Sequence, residues 1–392
     1  MKAVVIEPES VLGVLGGGQL GAMFTMAARR LGYHVAVWDP DPDAPAHRVA
    51  THSFPASFND QHILERFADL VSVVTYEWEN IPAALCRALE QQRPVRPSSD
   101  VLSVIQDRLE QKRFLASKGF PVPHFAGLTI PDQLATTLEQ VGYPALCKMA
   151  TAGYDGKGQW RILRKSDVLA VERALSESVR PGMRWIVESL VPFERELSIL
   201  VVRGVDGQSR TYPLVENEHE EGILRMTKVP ASGSSAVAQR AAALARQVVD
   251  RLEGVGVFCL ELFQLPNGEL LINEVAPRPH NSGHYTLDAC SVSQFEQQAR
   301  VTCGMPLGEV RLLSPAVMVN LIGNDIATLM KGTGCRALLD IPGAVLHLYG
   351  KHAIRPRRKM GHITFLGETL SIALDHAKQF RDGLANGSTL SA

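Results

Sequence analysis

Short apolar runs and helical spacing alternate through the first hundred residues. VLGVL (11–15), HVAVW (34–38) and LVSVVTY (70–76) read as strands. GQLGAMFTMAARRLG (18–32) repeats apolar residues at helical intervals and closes on Gly32, a residue suited to a helix C-terminus. That order predicts βαβ wiring and a parallel sheet. QQRPVRPSS (91–99) is a proline-interrupted joint, and DVLSVIQDRLEQKRFLASKG (100–119) is expected to form one helix ending at Gly119. A second unit follows: strand YPALCKM (143–149), a glycine-rich loop, strand QWRIL (159–163), a helix from about Asp167, and strand RWIVESLV (184–191). The third holds ERELSILVVRG (194–204), an alanine-rich helix around 236–252, a hairpin about Asn267-Gly268, and a helix near 288–303. From about 306 to 371 the pattern is strand-rich.

Composition narrows the class without naming it. The 392 residues are 45% hydrophobic and 21% charged, as expected of globular domains with sizeable cores. Forty basic against 41 acidic side chains give a net charge of −1, which argues against a general binder of nucleic acid or anionic membranes. The six cysteines are spread without a CxxC pair and read as buried free thiols. The N-terminal stretch lacks the pattern of a secretion signal, and no run approaches the ~18 apolar residues of a membrane span. A cytoplasmic protein is the expectation.

Two acids stand out because they sit in apolar runs. Glu261 follows Phe258-Cys259-Leu260, and Glu274 follows Leu270-Leu271-Ile272-Asn273. If Asn267-Gly268 is a two-residue type I′ loop, Pro266 faces Glu269, and counting back brings Glu261 opposite Glu274. Like charges so placed repel. A divalent cation would relieve this; Mg²⁺ takes hard oxygen ligands, commonly one or two carboxylates with phosphate oxygens and water. The alternative is that each acid pairs with an arginine.

KMATAGYDGKGQWRI (148–162) runs from strand through Gly153, Gly156 and Gly158 to strand, unlike a Walker loop. Such a loop, with Lys157 on it and Lys148 below, can fold over phosphates; it can also be a plain turn. In WIVESLVPFERELSIL (185–200), backbone groups of Glu188, Ser189, Leu190 and Val191 can meet the edge of an adenine, and Glu196 its ribose. Each acid alone reads as a surface residue.

Together the pieces resemble the N5-carboxyaminoimidazole ribonucleotide synthase family of ATP-grasp ligases. The carrying motifs are GVLGGGQLGAM (13–23), TYEWENIP (75–82), AGYDGKGQW (152–160), VESLVPFERELS (187–198), ENEHEEGIL (216–224), INEVAPRPHNSGHYT (272–286) and YGKHAIRPRRKMGHI (349–363). The resemblance implies an α/β, ATP-grasp architecture. A Rossmann-like domain at 1–105 would precede an ATP-grasp unit at 106–305, with a small lid lobe at about 122–186. A strand-rich C-terminal domain at 306–392 would complete the chain. It implies carboxylation of 5-aminoimidazole ribonucleotide by ATP and bicarbonate through carboxyphosphate, in purine biosynthesis, with ADP and phosphate released. It also implies a homodimer.

Carried over by position, ATP falls on Arg108, Lys148, the loop Gly153, Tyr154, Asp155, Gly156, Lys157, Gly158 and Gln159, the linker Glu188 to Val191, and Glu196, His219, Asn273 and Glu274. Mg²⁺ falls on Glu261 and Glu274. Bicarbonate falls on Arg278, His280 and Asn281; a planar guanidinium suits a planar anion. Tyr154, Asp155 and Lys157 would meet the aminoimidazole and the transferring group. The nucleotide's phosphate would meet Lys351, Arg358, Lys359 and the Gln19-Leu20 backbone, and Glu77 and Glu79 its base or ribose. Family members often carry arginine where Ala22 stands, so a phosphate or domain contact is expected to be missing. They often carry glycine where Arg357 stands, so the loop around Arg358 is expected to differ, because arginine does not adopt positive φ cheaply.

Three rivals compete with this reading. Gly16-Gly17-Gly18-Gln19-Leu20-Gly21 with Asp39 satisfies a dinucleotide fingerprint and suggests an NAD-dependent dehydrogenase. A formate-using glycinamide ribonucleotide transformylase shares the ATP-grasp architecture, and a non-catalytic regulator would bind ATP without turnover.

Overall fold

The computed structural model describes residues 5–151, 158–323, 325–330 and 334–385. Its first sheet is the parallel one that the early pattern predicts. The strands run His52–Phe54, His34–Trp38, Val11–Leu15, Val73–Tyr76 across the sheet. The helix Gln19–Arg30 starts directly after Gly18 and ends before Gly32, which takes φ +87°.

The expected single helix at 100–119 is two helices, Ser99–Ile105 and Arg108–Ser117. Asp107 breaks it: the carboxylate accepts the amides of Leu109 and Glu110, capping a new start. The helix expected near 288–303 is likewise Thr286–Ala289 and Gln294–Thr302, the second capped by the Ser293 hydroxyl on the Glu296 amide.

A small antiparallel sheet of four strands follows, ordered Phe125–Leu128, Trp185–Ser189, Ala145–Met149, Gln159–Ile162. The large sheet has nine strands. Its path runs Leu270–Ala276, Gly256–Gln264, Arg195–Arg203, Val215–Glu220, Ile223–Val229, Ala316–Ile322, Lys359–Leu366, Ala344–Leu348, with Ser209–Thr211 paired beside Arg195–Arg203. The C-terminal strands therefore extend this sheet, and helices such as Leu370–Ala385 lie among them. One apolar cluster packs the helix Ser235–Arg251 (Ala241, Ala245, Val248) on Leu197, Ile199, Phe258 and Leu260. Another joins the first helix to Phe295, Ala299 and Cys303, and Ala22 is buried inside it. Where an arginine was expected to be missed, an apolar contact between units stands instead.

Of the six free cysteines, five are buried. Among the described residues no helix is long and apolar enough to cross a membrane.

Candidate functional site

A cavity of about 1180 Å³ opens between the large sheet, the small sheet, the N-terminal sheet and the 351–359 segment. Glu261, Asn273 and Glu274 all line it. The hairpin brings Glu261 opposite Glu274, as the sequence predicts, but by another route. The loop has three residues, Pro266, Asn267 and Gly268: the Leu265 amide bonds the Glu269 carbonyl at 2.9 Å, and Gly268 takes φ +82°. That extra residue would move the register by one. A β-bulge at Asn273 restores it, since Leu262 pairs with Ile272 while Glu261 pairs with Glu274. A bulge re-aims side chains at such points, and here Asn273 joins Glu274 on the cavity wall.

Each acid has a cationic neighbour. His280 Nε2 lies 2.9 Å from Glu261 Oε1, and Arg108 Nη2 lies 3.3 Å from Glu274 Oε2. Burial pulls the His280 pKa down, but Cys259 and Glu261 outweigh it and raise it above the usual imidazole range. Burial likewise pushes Glu261 up, and His280 with His219 holds it below the usual carboxylate range. Two carboxylates and an amide oxygen form a hard-oxygen donor set of the kind that suits Mg²⁺.

Glu188 is not the surface acid expected. It is 3% exposed, with Lys112 Nζ at 2.8 Å on one oxygen and Lys148 Nζ at 2.6 Å on the other. Burial pushes its pKa up, yet the two lysines hold it at about 2. Lys148 faces the cavity from this anchor. The amides of Ser189 and Leu190 bond the carbonyls of His124 and Pro144, so this linker is already knitted to its surroundings. Glu196 and His219 hydrogen-bond one another on the cavity wall. Burial lowers the His219 pKa, and Glu196 more than reverses that.

Arg278 forms a tight ion pair with Glu79, reaching from just after the edge strand Leu270–Ala276 to the segment that follows the strand Val73–Tyr76. Burial raises Glu79, but Arg278 draws it down to about 2. Asn281 and Asn320 pair through both amide atoms, at 3.0 and 2.7 Å. Lys351, Arg358 and Lys359 line the same cavity as Gln19 and Leu20. Gly153, Tyr154, Asp155, Gly156 and Lys157 lie outside the described residues; Gly158 takes φ +69° and Gln159 lines the cavity.

The glycine turn at 16–21 holds an occupant that the sequence does not reveal. The Glu77 carboxylate accepts the Gly18 amide at 2.7 Å and the Gly21 amide at 2.8 Å. A Cβ at Gly18 would meet Glu77 Oε1 at 2.6 Å, so glycine is needed for the carboxylate to enter. Burial raises the Glu77 pKa, against those two N–H donors. Asp39 meanwhile accepts the Gly17 amide at 2.6 Å. The Gly17, Gly18 and Gly21 amides, where a dinucleotide's pyrophosphate would bind, are taken by the protein's own acids, which argues against the dehydrogenase reading, while Gln19 and Leu20 still line the cavity.

Arg357 corrects another expectation. It takes φ +67°, the glycine-like region, so the loop keeps that backbone shape with an arginine in it. Lys112 was missed altogether. It sits on the buried face of its helix with Leu109 and Leu115, a lysine at apolar spacing, which was the available signal.

Comparison with known proteins agrees with this arrangement. Residues 10–106 match the ribonucleotide synthetase preATP-grasp domain, 113–295 the ATP-grasp domain, and 316–376 the phosphoribosylaminoimidazole carboxylase C-terminal domain. The chain is 39% identical to the N5-carboxyaminoimidazole ribonucleotide synthase of Bacillus subtilis, over 93% of this chain and 94% of that one. It is also 39% identical to the Brucella melitensis enzyme of that name, over 93% and 98%. Among solved structures, the ADP complex of an N5-carboxyaminoimidazole ribonucleotide synthetase superposes with a TM-score of 0.92 at 38% identity, covering 98% of this chain and 99% of that one. An Aspergillus clavatus synthase in complex with ADP and 5-aminoimidazole ribonucleotide gives 0.85 at 31% identity, covering 96% and 99%. The chain belongs to the N5-carboxyaminoimidazole ribonucleotide synthase family of ATP-grasp proteins.

Proposed function

We infer that this protein carboxylates 5-aminoimidazole ribonucleotide on its N5 amine, using ATP and bicarbonate and releasing ADP and phosphate, as a ligase of purine biosynthesis. The observation that carries this is the convergence on one cavity of Glu261 and Glu274, the Lys148 anchor, and the Arg278–His280 corner. Bicarbonate is a poor electrophile, so the γ-phosphoryl group of ATP goes to it first, giving carboxyphosphate. Such transfer depends on positioning and charge neutralisation more than on covalent help.

In this reading Leu146, Leu190, Phe193 and Phe263 give the adenine an apolar wall; the last two rings stack at 4.7 Å. With the amides of Ser189 and Leu190 engaged, the base edge is left to the Val191 amide and backbone carbonyls. Glu196, oriented by His219, takes the ribose, and Lys148 and Arg108 take phosphate oxygens. Glu261 and Glu274, with Asn273 beside them, would hold Mg²⁺, which would supply neutralisation of the phosphate charge. Arg278, held by Glu79, and His280, which Mg²⁺ on Glu261 would free from its present pair, receive bicarbonate, with Asn281 fixed behind them. Lys351, Arg358, Lys359 and the Gln19-Leu20 turn hold the nucleotide's 5′-phosphate. Tyr154, Asp155 and Lys157 act on the aminoimidazole side and shield the labile intermediate from water. The three-unit division at 105 and 305, a cytoplasmic homodimer, and the absence of nucleic-acid or membrane partners belong to the same reading.

Phosphate release from ATP tests it. The expected result is bicarbonate-dependent release stimulated by 5-aminoimidazole ribonucleotide. Stimulation only by formate with glycinamide ribonucleotide would point to the transformylase, and ATP binding without any release would point to a regulator.

A further inference from the structure

Four non-glycine residues among those described have clearly positive φ: Glu9, Glu221, Glu253 and Arg357. Two of them, 136 positions apart, touch one another. Arg357 Nη1 donates to Glu221 Oε2 at 2.9 Å, and Arg357 Nη2 donates to the Glu221 carbonyl at 2.8 Å. A guanidinium held at two points on one residue is fixed in direction as well as distance.

Each partner occupies a backbone position that favours another residue. Glu220 pairs with Ile223, so Glu221 and Gly222 form a two-residue hairpin loop, with φ +51° and +76°. The first position of such a loop prefers asparagine, aspartate or glycine. Arg357 sits in a tight turn, in which the Arg358 amide bonds the Arg355 carbonyl at 3.1 Å and the Gly323 amide bonds the Arg358 carbonyl at 2.9 Å. A Cβ on Gly323 would come within 3.3 Å of the Arg355 carbonyl oxygen, so the turn is pressed against that backbone. Two residues in uphill conformations are joined by the contact between them.

The contact lies at the rim of the cavity, which both residues line. Its side chains are 36% and 83% exposed, so water screens the attraction and the link can open. The neighbouring hairpin acid, Glu220, is taken by Arg225 and Arg381, at 3.2 and 2.8 Å. The hairpin tip thus offers Glu221 to the basic turn.

We propose that Arg357 and Glu221 form an openable clasp across the cavity mouth, which holds the 353–358 turn in place and so positions Arg358 for the substrate's phosphate. This rests on the assignment of that phosphate to Lys351, Arg358 and Lys359. Arg357 is a positioning residue here and does not itself bind the phosphate.

Steady-state kinetics of R357G, E221Q, the double variant and R358A test the clasp. R357G, which removes both contacts, should raise the KM for 5-aminoimidazole ribonucleotide about three- to fivefold, the upper range for one exposed ion pair, and E221Q, which keeps the contact to the backbone carbonyl of residue 221, should raise it less. Their kcat and their KM for ATP should stay within about twofold of the parent. The double variant should be no worse than R357G, because R357G already removes both contacts to residue 221. If R358A raises the nucleotide KM while R357G leaves it unchanged, the clasp is wrong and the phosphate assignment stands. Additive effects in the double variant would overturn the positioning role, since Arg357 would then act independently of Glu221. If R358A itself leaves that KM unchanged, the phosphate assignment fails, and the clasp with it.

Discussion

Replacing Glu188 by glutamine removes the negative charge between two lysines without changing the side chain's shape. Lys112 is 2% exposed and Glu188 3%, so water cannot compensate for the loss. A carboxyl held at about 2 against its ordinary 4.5 corresponds to roughly 3 kcal/mol of preference for the charged form. Breaking a buried pair from one side typically costs roughly 3–5 kcal/mol, so E188Q should lose about that much stability at pH 7. The pH dependence has a definite sign. Burial already lowers the Lys112 pKa below 10.5, against the pull of Glu188, and losing Glu188 lowers it further. Between that lowered value and 10.5 the unfolded chain binds more protons than the folded one, so stability rises with pH. The deficit of E188Q should therefore shrink from pH 7 toward pH 10. Urea unfolding followed by tryptophan fluorescence reads it, since buried Trp185 lies on the same strand. The KM for ATP should rise as well, because Lys148 loses its anchor. A variant within about 1 kcal/mol of the parent at pH 7, or a deficit that grows with pH, would refute the reasoning.

Glu274→Gln should abolish ATP turnover while leaving the unfolding transition in place; a near-normal steady-state rate would count heavily against the metal assignment. Lys351→Ala should raise the KM for 5-aminoimidazole ribonucleotide more than that for ATP, and an unchanged pair of values would move the phosphate site elsewhere. Glu79 and Glu188 are both held at about 2 in the folded protein, so their contribution is complete above pH 4.5 and lost as pH falls toward 2. Acid unfolding of E79Q should show a smaller loss over that window than the parent; an identical profile would mean that the Glu79–Arg278 pair contributes nothing.

How much of this was legible in the sequence depended on whether the deciding interaction was local. The strands at 11–15 and 34–38 were readable to the residue, because alternation of apolar runs with a glycine-terminated helix is a local pattern. The break at Asp107 was not, because an aspartate inside a helical pattern signals a cap only once its carboxylate is seen on the next turn. The facing of Glu261 and Glu274 was reached with the wrong loop, since the three-residue turn and the bulge at Asn273 shift the register in opposite senses. Motif order named Lys148, Glu261, Glu274 and Arg278, which share one cavity, but also Glu188, Ser189 and Val191, which are not among its lining residues. It could not supply the long-range pairings: Glu77 in the glycine turn, Lys112 beneath Glu188, and Arg357 across to Glu221. These bring together residues far apart in the chain, and no spacing rule encodes them.

Whether Glu261 and Glu274 jointly hold the ion that serves the triphosphate decides the proposed chemistry. A crystal structure with Mg²⁺ and a non-hydrolysable ATP analogue tests it most directly. The prediction is Mg²⁺ bound to oxygens of both glutamates and of the triphosphate, with His280 and Arg108 released from their present partners or turned toward the ligand. An analogue bound with its phosphates away from this pair, or with both carboxylates still closed on His280 and Arg108 and no ion between them, would contradict it.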